Sequence, residues 1–251
     1  MTAGTSDRGV TKAGFLDRLL FIFSYQFDDD KPQTFSVVAA FARLGTKYDF
    51  RQLRNEAVKR LTFMFPSRLE DMGNIHIEGN CIIAETGLIF EAINLARETN
   101  MLFLLPAAME YCCAVHTIHD ILNGVQRPNK TPIFLSVEDQ TACLSGWYEL
   151  IHRQAEETYR WLDRNAEGTL FPECQRRSRC TDGRRRIFYS MSHPVTCCVP
   201  LEPWQGADWE KHMCATCNAA SQAQHERGRQ NVWNELPSFF GLPGWAELLK
   251  A

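Results

Sequence analysis

The amino-acid sequence predicts a mainly α-helical protein with a small cysteine-rich region toward its carboxyl end. Apolar side chains recur at helical spacing in several segments of the 251-residue chain. Residues typical of helix starts and stops border these segments. Six of the ten cysteines fall between residues 170 and 218, which sets that stretch apart. A hydrophobic content of 45% is enough to form a substantial core.

Composition excludes several classes of protein. A net charge of −3 favours neither nucleic acid nor an acidic membrane surface as a partner of the whole chain. No apolar run approaches the ~20 residues of a membrane helix. The apolar run at residues 19–23 is too short for a signal peptide and lacks a small-residue cleavage site. We expect an intracellular protein, in the nucleus or cytoplasm, with a disordered tail at residues 1–13 and a helix from Phe15 to about Phe23.

Residues 34–66 predict two helices folded back on each other. The first ends at Gly45, because glycine readily takes the left-handed conformation past a helix end. Asp49 caps the second helix, with Gln52 three residues later, and Pro66 ends it. A helical hairpin carries no chemistry of its own, so this stretch favours a binding scaffold.

Further helices are predicted downstream. One spans residues 87–98, and another spans residues 101–116 with a proline interruption. The segment QRPNKTP at residues 126–132 is typical of a linker. Ser136 then caps a long helix, with Asp139 at the fourth place of the capping box. The buried face of that helix is predicted to carry Leu144, Trp147, Ile151, Ala155, Thr158 and Leu162.

The last part of the chain is predicted to contain one long helix and a short one. The long helix opens at Asp208. Pro237 and Pro243 bracket a turn, after which Trp245 begins the short helix. This end of the chain is strongly apolar, and fraying would expose its apolar side chains to water. We therefore expect it to dock back onto the core.

Several short motifs together resemble the BTB/POZ domain, above all that of fungal BTB proteins. The resemblance spans most of residues 14–251 and lies in the order and spacing of motifs that are unspecific alone. The matching residues are Phe35, Val38, Leu44, Gly45, Lys47, Tyr48, Leu53, Arg54, Ala57 and Leu61, then the segments INLARE (93–98), LPAA (105–108), YCC (111–113) and GLP (241–243), then Trp245, Glu247, Leu248 and Leu249.

The resemblance implies a protein–protein interaction adaptor or scaffold without catalytic activity, in a ubiquitin-ligase or transcription-related assembly. It implies a truncated BTB-like helical hairpin at residues 14–66, a helical extension at 67–165 and a cysteine-rich subdomain at 166–251. We expect no counterpart here to the small sheet that precedes these helices in the family, because the residues before Asp28 show no alternating strand pattern. With the dimerising strand missing, we expect a monomer.

The cysteine-rich region predicts a small subdomain stabilised by zinc. Without a secretory signal the thiols should stay reduced, which favours metal binding over disulfides. Zinc takes four soft ligands in a tetrahedron, and two separated cysteine pairs are a common way to supply them. We predict that the ligands are Cys174, Cys180, Cys214 and Cys217.

Alternatives to this ligand set stay open. The cysteines could be plain buried thiols, since cysteine is among the most buried residue types. His225 lies eight residues beyond Cys217 on the predicted helix, a rise of ~12 Å that is too long to share an ion. One member of the set could be replaced by Cys197, Cys198, His193 or His212.

Other chemistries receive weaker support. Cys112, His116 and His119 share one face of a predicted helix, but no fourth metal ligand is evident. The Cys214-x2-Cys217 pair lacks the βαβ context of a thioredoxin-like redox site. A cysteine nucleophile would need an orienting group and an oxyanion hole, which no motif marks. We therefore predict no catalytic residue and no enzymatic activity.

An arginine-rich run supplies the alternative function, a zinc-containing, transcription-related protein that binds nucleic acid. Its cations could contact phosphates. Acidic neighbours dilute the run and no stacking aromatic residue interleaves it, so a solvated basic face is the simpler interpretation. The run comprises Arg176, Arg177, Arg179, Arg184, Arg185 and Arg186.

Overall fold

The computed structural model confirms a mainly helical fold. It describes residues 31–76, 82–83, 85–163, 171–193 and 198–250, so the tail predicted at residues 1–13 and the helix predicted at residues 15–23 lie outside the described residues. The chain forms two compact units, Met1–Pro32 and Gln33–Ala251, and all of the following elements belong to the second. The α-helices are α1 (Phe35–Tyr48), α2 (Arg51–Met64), α3 (Leu88–Glu98), α4 (Leu105–Val115), α5 (Ile118–Asn123), α6 (Val137–Arg153), α7 (Arg177–Ser192), α8 (Ala207–Glu210), α9 (Ala215–Phe239) and α10 (Trp245–Leu248).

Short strands and tight helical turns connect these helices. The prediction of a linker at residues 126–132 is wrong. This segment forms a hairpin, in which the N–H of Arg127 donates a 2.9 Å hydrogen bond to the carbonyl of Thr131. Strand β1 (Gln33–Thr34) pairs in parallel with β2 (Ile82–Ile83), and β3 (Val125–Gln126) pairs antiparallel with β4 (Pro132–Ile133). The 3-10 segments are Leu69–His76, Leu102–Leu104 and Arg160–Leu162, and the π-helical segment Gln154–Thr158 continues α6.

The helical hairpin α1–α2 is present, but its turn differs from the prediction. Gly45 lies inside α1, where a Cβ atom would stand 2.6 Å from the backbone nitrogen of Arg54. This glycine is therefore needed for close helix packing and not for ending the helix. Asp49, with a φ of 55°, takes the left-handed position that ends α1 and does not cap α2. Helix α2 ends before Pro66, as predicted.

Helix α6 begins at the predicted cap but buries a different face. The Oγ of Ser136 accepts a 3.1 Å hydrogen bond from the N–H of Asp139. The predicted apolar stripe is wrong except at Thr158, which is buried, because the large apolar residues Leu144, Trp147 and Ile151 are only half-buried. Aromatic packing and hydrogen bonds to the 198–200 segment decide the orientation, since the Phe240 ring fills the space at Gly146 and Gln154 accepts from the Val199 N–H at 2.6 Å. The buried face carries Cys143, Gly146, Leu150, Gln154 and Thr158.

The carboxyl-terminal part contains more helix than the sequence suggested. The arginine-rich run lies in the helix α7, except for Arg176, which immediately precedes it. The long helix α9 begins at Ala215 and not at Asp208, which belongs to the separate short helix α8. The short final helix α10 begins at Trp245 as predicted and docks back. Its Trp245 ring stacks on Trp233 with centroids 4.9 Å apart, and its Nε1 donates to the Trp233 carbonyl at 2.7 Å.

The buried side chains form cores of two kinds. From α1 to α5 the core is mostly aliphatic, with fully buried residues such as Val38, Leu61 and Ile93. Beyond α6 the core is aromatic and sulfur-rich; it contains Tyr159, Trp161, Phe171, Cys180, Ile187, Trp209, Met213 and Cys217. Among the described residues, none of the helices has both the length and the apolar character needed to cross a membrane.

Candidate metal centre

Four cysteine side chains converge at the edge of the aromatic core. Their Sγ atoms all lie within 4.8 Å of one another, close enough to hold a metal ion. Cys180 and Cys217 are buried, whereas Cys174 and Cys214 are half-buried. The group consists of the four residues that the sequence singled out, Cys174, Cys180, Cys214 and Cys217.

Each cysteine of the group is positioned by local structure. Cys174 lies in a turn in which its N–H donates to the Phe171 carbonyl at 3.3 Å. Cys180 is in the first turn of α7. Cys214 immediately precedes α9, and Cys217 follows one turn later. Two pairs that are 34 residues apart in sequence are thereby brought together, and the Cys214 N–H donates to the Cys180 Sγ at 3.2 Å.

The two segments that carry the cysteines are locked together beside the thiols. An added Cβ at Gly183 would lie 2.4 Å from the His212 carbonyl oxygen, so only glycine allows this approach. The Nη2 of Arg179 donates to the Lys211 carbonyl at 3.3 Å. Helix α7 therefore packs directly on the segment that leads into α9.

The surroundings of the group favour a thiolate at one position. The pKa of the Cys214 thiol falls to about 7, chiefly through the partially positive backbone N–H of Cys217. Burial raises the pKa of Cys180 and of Cys217. A bound cation would reverse that effect, because metal ligation deprotonates thiols outright. One acidic thiol among buried thiols is therefore better suited to binding a metal ion than to acting as an isolated reactive cysteine.

The donor set matches the chemistry of a structural zinc ion. Zinc–sulfur bonds of about 2.3 Å in a tetrahedron separate the sulfurs by roughly 3.8 Å, which is compatible with the spread of up to 4.8 Å. None of the four cysteines of the group is in a disulfide, so a disulfide does not compete for these sulfurs. Four thiolates would close the coordination sphere and leave no position for water or substrate.

The other candidate ligands do not join the group. His225 is buried on α9, where its Nε2 lies 2.8 Å from the Glu202 carbonyl and its Nδ1 lies 3.4 Å from the Trp161 Nε1. Burial lowers the pKa of His225, which favours the neutral ring. Of the proposed substitutes, Cys197 lies outside the described residues. His193, Cys198 and His212 are described but are not part of the group.

The second metal site considered from the sequence is not assembled. Helix α4 ends at Val115, and His116 is extended, so His116 and His119 do not continue the face that carries Cys112. No metal-ligating group contains these residues in the part of the chain that the structure describes.

The arginine-rich run divides between different surroundings. Arg184 is buried, with its guanidinium 4.2 Å from the centre of the Phe171 ring, and Arg185 pairs with Asp182 at 3.0 Å. No aromatic residue interleaves the run, but the rings of Phe188 and Tyr189 are exposed just beyond it on the same helix. The remaining arginines line a cleft of about 710 Å³ together with Lys211 and His212; they are Arg176, Arg177, Arg179 and Arg186.

Sequence reasoning missed the residues that support the site. Gly183 and Lys211 help to hold the two cysteine-bearing segments together, but no motif marks them, and the arginine-rich run did not reveal this role of Arg179. The aromatic cluster around His225 was also missed, since Trp161, Trp204 and Trp209 come from distant parts of the chain. Their shared aromatic character was the available signal, although it does not specify their contacts.

When it is compared with protein-family models, curated proteins and solved structures, the chain matches none of them. The resemblance to BTB/POZ proteins therefore stays a prediction.

Proposed function

We propose that this protein is a non-catalytic protein-interaction scaffold of the BTB type whose cysteine-rich region is stabilised by one structural zinc ion. The observation that carries the proposal is the convergence of four thiols from two separate segments within 4.8 Å. A closed set of four thiolates supplies folding energy and no open coordination position, so the zinc would act as a structural crosslink.

Elemental analysis tests the zinc assignment. Protein purified without added metal should carry one zinc per chain, and Cys174→Ser and Cys217→Ser should each lose the stoichiometric ion. Cys143→Ser is the matched control, because Cys143 is an equally buried thiol on α6 outside the group. Absence of zinc from the wild type, or a full equivalent in Cys217→Ser, would show that the cysteines are plain core residues.

An exposed apolar face supports the scaffold role. It is formed where α5, the β3–β4 hairpin and the start of α6 meet, since the Gln140 amide on α6 donates to the carbonyls of Leu122 and Leu135 at 3.5 and 3.2 Å. Val137 is 77% exposed at this face. Exposed apolar side chains on neighbouring elements are a feature of protein-binding sites. The apolar face consists of Val115, Ile118, Leu122, Phe134 and Val137.

The apolar face is tested by charge insertion. The double variant Leu122→Glu/Val137→Glu should lose a partner that the wild type captures and that binds again when reconstituted from purified components. Phe188→Glu, also at an exposed aromatic position but on α7, should retain that partner. Equal binding by all three proteins would exclude this face. A component of a ubiquitin-ligase or transcription-related assembly is the partner class that the resemblance implies.

Nucleic-acid binding is the second candidate function. The observation that favours it is the exposure of Phe188 and Tyr189 one turn beyond the arginines of α7, because exposed aromatic rings beside cations suit single-stranded bases. The double variant Phe188→Ala/Tyr189→Ala should then weaken binding of single-stranded DNA by roughly fivefold or more, without loss of zinc. Unchanged affinity would remove this candidate.

A further inference from the structure

The cleft between α7 and the segment before α9 concentrates positive charge. Five cationic side chains line it against a single carboxylate, that of Asp182. Arg185 already pairs with this carboxylate at 3.0 Å. The cations are Arg176, Arg177, Arg179, Arg186 and Lys211.

Most of these cations are available to a ligand. Arg176, Arg177 and Arg186 are exposed, and none of the described carboxylates lies within ion-pairing distance of their guanidinium groups. Lys211 shares its charge with Asp208 at 3.1 Å. Because these cations line one open cleft of about 710 Å³, their fields add at its surface. Guanidinium groups match phosphate oxygens by bidentate hydrogen bonds.

The two walls of the cleft are the two cysteine-bearing segments. Arg179 is adjacent to Cys180 on the α7 wall, and Lys211 lies three residues before Cys214 on the opposite wall. The walls touch through the Arg179–Lys211 hydrogen bond of 3.3 Å and through the close approach of Gly183 to His212. A metal ion held by cysteines from both walls would crosslink the two walls close to these contacts.

We propose that this cleft binds phosphate groups and that the metal-loaded four-cysteine centre holds its two walls in the binding arrangement. The coupling rests on the proposed zinc site, whereas the ligand class follows from the arginines. Phosphate could come from a free oligophosphate or from a nucleic-acid backbone, and both present the same oxygens to the cleft.

Calorimetric titration of the zinc-loaded full chain with inorganic tripolyphosphate tests the ligand class. The double variant Arg177→Ala/Arg186→Ala should weaken binding by roughly tenfold or more, because each charge-assisted hydrogen bond contributes strongly. Arg227→Ala is the matched control and should change affinity by less than about twofold, since Arg227 is an exposed arginine on α9 outside the cleft. Equal affinity of the double variant and the wild type, or an equal loss in the control, would overturn the proposal.

Removal and return of zinc test the coupling. Chelated protein should bind tripolyphosphate at least tenfold more weakly, and binding should recover in proportion to added zinc up to one equivalent. Zinc content is measured on the same samples, so the two proposals fail separately. A wild type without zinc contradicts the zinc site, whereas one zinc per chain with unchanged affinity after chelation contradicts the coupling.

A labelled twelve-nucleotide single-stranded DNA distinguishes the phosphate sources. Tighter binding of the DNA than of tripolyphosphate, with a steep loss of affinity as salt rises, would indicate a nucleic-acid backbone. Tighter binding of tripolyphosphate would indicate a free oligophosphate. Either result supports a phosphate site, and binding of neither probe at low salt would exclude one.

Discussion

The helices α1–α5 and the cysteine-rich region beyond α6 reach a stable structure by different means. The first region buries aliphatic faces of consecutive helices, with Val38, Leu61 and Ile93 almost inaccessible to solvent. The second region places thiols and aromatic rings at its centre, and segments distant in sequence meet there. Burial of apolar surface suffices for the first region. In the second region, four thiols lie close enough for a metal ion to crosslink them, and such a crosslink would add stability.

Chelation of zinc is expected to produce the largest difference between the two regions. Metal removal should lower the local free energy of opening in α7 and at the start of α9 by roughly 5 kcal/mol or more, because structural zinc sites bind with apparent free energies of about 10–16 kcal/mol. Amide hydrogen exchange of α1–α4 should change little. Equal loss of protection in both regions would show that they unfold as one cooperative unit.

A pH titration of Glu110→Gln is expected to show the next largest effect. Burial, reinforced by the charge of Glu202, raises the pKa of the Glu110 carboxyl in α4 to about 8. The folded protein thus retains a proton that the unfolded chain releases near pH 4.5, so Glu110 destabilises the fold as the pH rises from 4.5 to 8. Glu110→Gln should equal the wild type near pH 4 and exceed it by roughly 3 to 5 kcal/mol above pH 8.

Denaturant unfolding across that pH range measures this difference. A constant difference between Glu110→Gln and the wild type would mean that the pKa of Glu110 is the same in the folded and unfolded protein.

Paired glycine substitutions should have smaller effects, one in each of the two regions. An added Cβ would meet backbone atoms at 2.6 Å in Gly45→Ala and at 2.4 Å in Gly183→Ala. Each variant should lose about 1–3 kcal/mol of stability through overpacking. Only Gly183→Ala should weaken zinc affinity, because it pushes His212 and the following cysteines away from α7. A competition assay with a chromophoric chelator measures this affinity, and equal zinc affinities would contradict the assigned role of Gly183.

Removal of the α6 cap is expected to have the smallest effect. Ser136→Ala deletes the acceptor of the Asp139 N–H and should cost about 1 kcal/mol of stability. Asp139 retains its 2.7 Å ion pair with Arg97, so the helix should persist. Thermal unfolding followed by circular dichroism measures the change. Loss of zinc in this variant would be unexpected, since the cap lies outside the cysteine-rich region.

Local sequence patterns predicted the elements whose determinants are neighbours in the chain. The helix at residues 87–98, the cap at Ser136 and the start of α10 at Trp245 were recognised because caps and helical periodicity act within one or two turns. The four cysteines were also selected from the sequence, since reduced thiols in two spaced pairs carry a chemical signal independent of the fold.

Tertiary structure decided which residues those elements bury and where they meet. Glycine is needed at position 45 within α1 because the backbone of Arg54 packs against it. The buried face of α6 is set by the Phe240 ring and by the hydrogen bond to Val199. The basic cleft arises only when α7 packs on Lys211 and His212. Such contacts join residues that are far apart in sequence, and their energies depend on complementary shape, which local periodicity does not encode.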